Sequence, residues 1–284
     1  MSCPPKRRQT LAKTLIDAPG SNWYYQCVNF PALRPILASI ITLSALQWTL
    51  LAQTNVQVGA MTIAEPVAHQ NTALLPAPRI DWGVPRQTLV LQRAKEAPGN
   101  YDIEFIGDSI TEAWEGAGTN VWREFYGQSK VINLGVSGDR TQHVLWRFEN
   151  GQLNGIKAKV AVLMIGTNNS LSQDNTEAEI LEGITAIVQQ IRSRQPDTKI
   201  ILFGIFPRGE TFSTQRGKIL QVNEALAKLD DGKRVFYIDF GSQLIESDGS
   251  ISKAIMPDYL HLTEAGYRIW ANATESKLKR LLRE

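Results

Sequence analysis

Two short polar segments of the sequence carry the residue types of nucleophilic catalysis. Gly107-Asp108-Ser109 follows an apolar run, and Asp258 and His261 stand three positions apart near the C-terminus. A histidine that a carboxylate orients can take the proton of a serine hydroxyl and so turn it into a nucleophile. Serine and aspartate at such places also cap helices, and a close Asp–His pair also forms local hydrogen bonds. Each segment alone therefore leaves a structural role open.

Two further segments could supply hydrogen-bond donors to a negatively charged oxygen. Gly138 ends the run N-L-G-V-S-G, where a residue without a side chain allows a ligand to approach the backbone. Asn168 lies in G-T-N-N, and its side-chain amide can donate into a site. Turn geometry explains both segments equally well. In combination, however, the four segments provide a nucleophile, a base and oxyanion donors, which is the equipment of acyl transfer.

The elements that must position these segments follow from the hydrophobic pattern. Short apolar runs rich in β-branched residues are typical of buried parallel strands, and they occupy residues 103–106, 131–134, 160–165, 200–206 and 235–240. Segments with apolar residues at helical spacing occupy residues 141–149, 177–194, 218–229 and 263–282. Strands that alternate with helices predict an α/β fold, a three-layer α/β/α sandwich around a five-stranded parallel sheet. Functional residues of such sheets lie beyond the carboxyl ends of the strands, where the polar segments are found.

The order of the four segments resembles that of the SGNH hydrolases, also called GDSL esterases, whose sequence blocks contribute Ser, Gly, Asn and His. Within this family the chain looks most like the catalytic subunits of platelet-activating-factor acetylhydrolase, from about Trp82 to the C-terminus. Ile110 stands where the family name has leucine. The resemblance rests on shared runs at residues 138–147, 150–160, 166–169, 194–196, 207–210, 247–252 and 258–263.

This resemblance implies a flavodoxin-like SGNH hydrolase fold and a serine esterase mechanism. Ser109 is the expected nucleophile, His261 the base, and Asp258 the carboxylate that orients the imidazole. The expected oxyanion hole consists of the Ser109 and Gly138 backbone N–H groups and the Asn168 side-chain amide. Chemistry of this kind requires neither a metal nor an organic cofactor.

The resemblance also implies a preference for short acyl groups, acetyl above all. Ile110 and Leu260 adjoin the nucleophile and the base in sequence, and residues at these positions crowd the acyl pocket in related enzymes. The expected substrate is a small acetylated lipid or glycan, and the related enzymes imply a homodimer. Two alternatives stay open: an exported carbohydrate O-acetylesterase, and a catalytically silent binding module with the same fold.

The N-terminal residues differ in composition from the rest of the chain. No charged residue occurs between Arg34 and Glu65, and residues 36–52 are mostly apolar. This run is longer than the ~7–15 residues of a signal-peptide core and shorter than the ~20 of a membrane-spanning helix. We interpret residues 1–60 as an export signal or membrane anchor, 61–80 as a linker and 81–284 as the catalytic domain.

This division predicts a periplasmic, extracellular or membrane-anchored protein. A buried helix of the folded domain is one alternative for the apolar run. A start of translation at Met61 is another, and it would make the protein cytoplasmic.

Charge and cysteine content exclude other classes. The net charge of the chain is +2, and the basic excess lies within residues 1–34. The remaining residues therefore lack the clustered positive charge that nucleic-acid binding needs. The two cysteines, Cys3 and Cys27, cannot form a disulfide framework or a four-ligand zinc site.

Overall fold

A single parallel sheet organises the part of the chain that the computed structural model describes, residues 69–171 and 173–284. The strands are β1 (Gly99–Gly107), β2 (Val131–Asn133), β3 (Ile156–Met164), β4 (Lys199–Phe203) and β5 (Val235–Ile238). Their spatial order is β2-β1-β3-β4-β5, and all neighbouring strands run parallel. Each predicted apolar run overlaps one of the strands, so the prediction of a five-stranded parallel sheet is confirmed.

Helices connect the strands and cover both faces of the sheet. The helices are α1 (Val84–Glu96), α2 (Ser109–Glu112), α3 (Thr119–Tyr126), α4 (Thr141–Glu149), α5 (Glu177–Arg194), α6 (Thr214–Leu226) and α7 (Glu264–Arg283). Helices α4 and α5 have the predicted bounds, whereas α6 begins earlier than predicted because the Ser213 side chain caps it by accepting from the Arg216 N–H group. No helix was predicted at α1 or α3.

Two apolar clusters, one on each face of the sheet, form the core. The first joins the sheet to α1, α4, α5 and α6, and the second joins it to α2, α3 and α7. Aromatic rings dominate the second cluster, in which Phe105 of β1 packs against Trp114, Tyr126 and Trp270. This arrangement is the predicted three-layer α/β/α sandwich.

The described part of the predicted linker, residues 69–80, packs on the catalytic body. A 3-10 helical turn at Thr72–Leu74 buries Ala73, whose carbonyl oxygen accepts a hydrogen bond of 2.8 Å from the Thr141 hydroxyl. Arg79 is buried as well. The apolar run at residues 36–52 lies outside the described residues. Among the described residues, no helix combines the length and apolar character that a membrane span requires.

One buried carboxyl group lies in the sheet itself. Glu104 of β1 is fully buried, and its Oε2 atom accepts a hydrogen bond of 3.3 Å from Gln195. Neither Glu104 Oε1 nor Gln195 Oε1 has a partner among the described residues. Burial raises the pKa of Glu104 from 4.5 to about 8. The group is therefore neutral in the folded state and ionised in the unfolded state between these two pH values.

Glu104→Gln should stabilise the protein, and the gain should grow with pH. Because the folded pKa is raised, the contribution of Glu104 to stability is complete below pH 4.5 and is lost as the pH rises towards 8. Glutamine removes this loss, and its amide can donate to the free Gln195 Oε1. We expect the melting temperature to rise by about 3–6 °C at pH 8 and by much less at pH 5. Glu224→Gln, on the exposed surface of α6, is the control, and an equal shift at both pH values would contradict the prediction.

Candidate active site

Ser109, His261 and Asp258 form one hydrogen-bonded chain at the carboxyl edge of the sheet. Ser109 is the first residue of α2, directly after β1. Its Oγ atom lies 2.9 Å from His261 Nε2, and His261 Nδ1 lies 2.6 Å from Asp258 Oδ2. With the proton of the imidazole on Nδ1, Nε2 can accept the serine proton. The geometry is that of a nucleophile, a base and an orienting carboxylate.

The turn that contains Asp258 and His261 is fixed by the Asp258 carboxylate. Its Oδ1 atom accepts the backbone N–H groups of Leu260 at 3.1 Å and His261 at 2.8 Å. Tyr259 between them has a φ of 59°, a left-handed conformation that is rare for a residue with a side chain. The Tyr259 hydroxyl also donates to Glu210 at 3.0 Å, so a residue outside the turn helps to hold it.

The electrostatics of Asp258 suit the role of an ionised partner of the imidazole. Partial burial raises the pKa of this carboxyl, but the hydrogen bonds from the His261 ring and backbone outweigh burial and hold the pKa below its ordinary value. Asp258 therefore keeps its negative charge at neutral pH and favours the Nδ1–H tautomer of His261.

Gly138 and Asn168 belong to two loops that a hydrogen bond joins. The Asn168 side-chain amide donates to the carbonyl oxygen of Asp139 at 2.8 Å. Gly138 has a φ of 76°, in the left-handed region that favours glycine. The Gly138 loop lies against the end of β1, because the Val136 N–H group donates to the Gly107 carbonyl at 3.1 Å. Both predicted donors thus lie on the loops that border the nucleophile segment.

Charged side chains that the sequence reasoning missed hold the Gly138 loop. Glu112, three residues after Ser109, accepts the Ser137 N–H group at 2.7 Å. Asp139 is fully buried between the guanidinium groups of Arg147 and Arg79. Such contacts join residues distant in sequence and leave no motif by which they could be found.

The two residues predicted to line the acyl pocket differ in burial. Ile110 is buried in the aromatic-rich cluster, and its carbonyl oxygen accepts a hydrogen bond of 2.6 Å from the Tyr267 hydroxyl. Leu260 is partly buried against the same cluster. Their role in choosing the acyl group stays a prediction.

A buried carboxyl, that of Asp108, lies directly before Ser109. Asp108 caps α2 by accepting the Ile110 N–H group at 3.0 Å, as the structural interpretation of this segment expected. Burial raises the pKa of Asp108 to about 7, and the negative charge of Asp139 acts in the same direction.

The other two histidines take part in contacts elsewhere. His69 pairs with Glu179, and His143 Nδ1 accepts the Arg140 N–H group. Burial lowers the pKa of His143 to about 4, so its ring is neutral at physiological pH. No group of three His, Cys, Asp or Glu residues within 69–171 and 173–284 could hold a metal ion.

Comparison with known proteins establishes the family. Residues 105–269 match the GDSL-like lipase/acylhydrolase family, and the chain belongs to it. Platelet-activating factor acetylhydrolase IB subunit alpha1 of Homo sapiens is 40% identical over 182 residues, which cover 64% of this chain and 77% of the relative. The chain is therefore a carboxylic ester hydrolase of the GDSL family, and the resemblance inferred from its motifs is confirmed.

Solved structures agree on the fold. A GDSL-like lipase from Bacteroides thetaiotaomicron superposes with a TM-score of 0.56 at 18% identity, covering 68% of this chain and 98% of that one. An acetylxylan esterase from Geobacillus stearothermophilus superposes with a TM-score of 0.51 at 19% identity, covering 62% of this chain and 93% of that one. At these identities the likeness extends to the fold alone.

Proposed function

We propose that the protein hydrolyses short-chain carboxylic esters, acetyl esters above all, with Ser109 as the nucleophile. The observation that carries this proposal is the chain of hydrogen bonds from Ser109 Oγ through His261 to Asp258, at 2.9 and 2.6 Å. A serine hydroxyl in this setting can lose its proton to the imidazole as it attacks a carbonyl carbon.

The reaction proceeds in two halves. Ser109 Oγ bonds to the carbonyl carbon, His261 Nε2 takes the hydroxyl proton, and the carbonyl electrons move onto oxygen. Collapse of this intermediate breaks the bond to the alcohol, which leaves with the proton from His261. Water then attacks the acyl-serine with His261 again as base, and the carboxylic acid is released while Ser109 regains its proton. Asp258 stabilises the imidazolium in both halves.

The developing oxyanion is the second requirement of the mechanism. We propose that it accepts from the backbone N–H groups of Ser109 and Gly138 and from the Asn168 side chain. An asparagine amide carries two N–H donors. Among the described residues, one is used by the Asp139 carbonyl, and the second can donate to the substrate.

Two observations support acetyl over longer acyl groups. The 40% identical human relative is an acetylhydrolase by name. Ile110 and Leu260 adjoin the nucleophile and the base in sequence, and bulky apolar side chains at these positions would restrict the room for the acyl chain. A pocket closed by such side chains discriminates by about 1–3 kcal/mol per methylene.

The test is the rate of hydrolysis of p-nitrophenyl acetate, butyrate and octanoate by the full chain. We expect kcat/KM to fall with acyl length. Leu260→Ala should raise the octanoate-to-acetate ratio about tenfold, because it opens the pocket by several carbon atoms. The control is Leu220→Ala, which truncates an exposed leucine on α6 and should leave the ratio unchanged. Faster hydrolysis of octanoate than of acetate by the wild type would refute the acetyl preference.

The alcohol part of the substrate is tested separately. Acetate release from an acetylated ether phospholipid is the result that the human relative favours. Acetate release from acetylated xylan alone would instead identify a carbohydrate O-acetylesterase.

We also propose that residues 36–52 direct the protein out of the cytoplasm, by export or by anchoring, and that the enzyme is a homodimer. The uncharged apolar run supports the first and the family resemblance the second. Cell fractionation and sedimentation of the full chain test both, and a cytoplasmic monomer would contradict them.

A further inference from the structure

Arg79 lies outside the family-matched region 105–269. Its environment is unusual for a charged residue. Its side chain is only 3% exposed. The guanidinium Nη1 donates to the carbonyl oxygen of Ser137 and lies 3.3 Å from Asp139 Oδ1. The Nε and Nη2 atoms donate to the Asp81 carboxylate at 2.9 Å.

The Ser137 carbonyl is chemically tied to the predicted oxyanion donor. The Ser137 C=O and the Gly138 N–H belong to the same peptide unit, which is planar and trans, so the two groups point in opposite directions. A contact that fixes the carbonyl therefore fixes the direction of the N–H group. A cation on the carbonyl oxygen also polarises the peptide and makes its N–H a stronger donor.

We propose that Arg79 is a positioning residue of the oxyanion hole, which orients and polarises the Ser137–Gly138 peptide so that the Gly138 N–H faces the substrate oxygen. This inference rests on the proposed serine esterase function. It extends the functional unit to a residue that the sequence division assigned to the linker.

The surroundings of Gly138 agree with this role. A side chain at position 138 would place its Cβ 3.0 Å from Arg79 Nη1 and Nη2 and 3.0 Å from the Trp82 ring. Arg79 itself packs against this ring, 4.8 Å from its centroid. The guanidinium thus lies between the Trp82 ring and the Gly138 loop, in contact with the donor peptide.

The other partners of Arg79 do not account for its burial. Asp139 already pairs with the fully buried Arg147, so it has a counter-ion without Arg79. The Asp81 side chain is 49% exposed and accepts from Arg79 Nε and Nη2, so it does not account for the inward direction of Nη1. The neighbouring peptide is held by Glu112, which accepts the Ser137 N–H group and leaves the Ser137 carbonyl to Arg79.

The experiment compares Arg79→Met, Arg79→Lys and the control Arg192→Met in the full chain, with p-nitrophenyl acetate as substrate. Complete loss of an oxyanion donor costs about 10²–10³ in turnover, so a misdirected donor should cost about 10–100-fold. We expect kcat of Arg79→Met to fall by this amount with KM within about twofold. Arg79→Lys, which restores a cation, should recover part of the loss. Arg192→Met removes a guanidinium from a side chain that is 49% exposed on α5, and it should stay within about twofold of wild type.

A transition-state analogue separates positioning from a structural role. A trifluoromethyl ketone adds to the serine and places an oxyanion in the hole, so its affinity should fall in proportion to kcat/KM in Arg79→Met. The pH of half-maximal activity should not move, because the triad is untouched. Wild-type kcat and analogue affinity in Arg79→Met would overturn the proposal, as would a loss confined to KM or one that Arg79→Lys does not relieve.

The failure of this inference is distinguishable from that of the proposed function. If Ser109→Ala is inactive while Arg79→Met is unaffected, only the role of Arg79 is refuted. If Ser109→Ala keeps wild-type activity, the serine esterase proposal itself is refuted.

Discussion

Ser109→Ala is expected to lower the turnover of p-nitrophenyl acetate on the order of 10³-fold or more. Alanine removes the proposed nucleophilic oxygen and should leave the fold intact, because Ser109 Oγ has His261 as its hydrogen-bond partner and no structural one among the described residues. Binding of the ester uses other groups, so KM should change little. The measurement is steady-state kinetics with wild-type and mutant enzyme at equal concentration.

Ser193→Ala is the matched control for this experiment. Ser193 is exposed on α5, and its hydroxyl donates only to the Gln190 carbonyl of the same helix. It should retain wild-type turnover. A Ser109→Ala enzyme within tenfold of wild type would show that the ester is cleaved without this nucleophile.

His261→Ala should cost a similar factor, on the order of 10³-fold or more. In the proposed mechanism Ser109 depends on His261 for removal of its proton, and the two side chains, whose Oγ and Nε2 atoms lie 2.9 Å apart, act as one unit. Losses in such a unit are far from additive. The double variant with Ser109→Ala should therefore be about as slow as either single variant. The measurement is kcat/KM of the two single variants and the double variant, in one buffer.

The other exposed histidine supplies the control. His69 has a side chain that is 74% exposed and pairs with Glu179 far along the chain, so His69→Ala should keep full activity. If the losses of the two triad variants multiplied in the double variant, Ser109 and His261 would be acting independently, which the mechanism does not allow.

The sheet could be predicted from the sequence because both of its faces are covered. A central strand such as β3 then contains a continuous apolar run, here residues 160–164, and such runs stand out in the sequence. Helices α4 and α5 were equally clear, since each buries apolar residues at helical spacing, such as Val144 and Phe148 in α4. The fold class followed from the alternation of these elements.

Helices α1 and α3 could not be predicted because each buries few residues. Only Gln87, Val90 and Ala94 are buried in α1, so its apolar periodicity is faint. Helix α3 has eight residues and buries Val121 and Tyr126 alone. Short elements with so few buried positions take their conformation from packing against the sheet rather than from a pattern of their own.

The residues of the candidate triad could be predicted from the sequence, whereas the side chains that hold the neighbouring loop could not. The rule that parallel strands end at one edge brings Ser109 and His261 together across 152 positions of sequence. Arg79 and Glu112 act on backbone groups of Ser137, and a backbone group accepts such contacts whatever its side chain. No spacing rule links these residues, so only the folded chain reveals them.

The most direct test of the account is labelling of the enzyme with a fluorophosphonate, followed by peptide mass spectrometry and assay of residual activity. A serine that a histidine activates attacks phosphorus and stays covalently modified. The account predicts that esterase activity falls in step with modification of Ser109, and that Ser109→Ala is not labelled. Full inhibition with the label on another residue, or full activity with Ser109 completely modified or wholly unreactive, would contradict it.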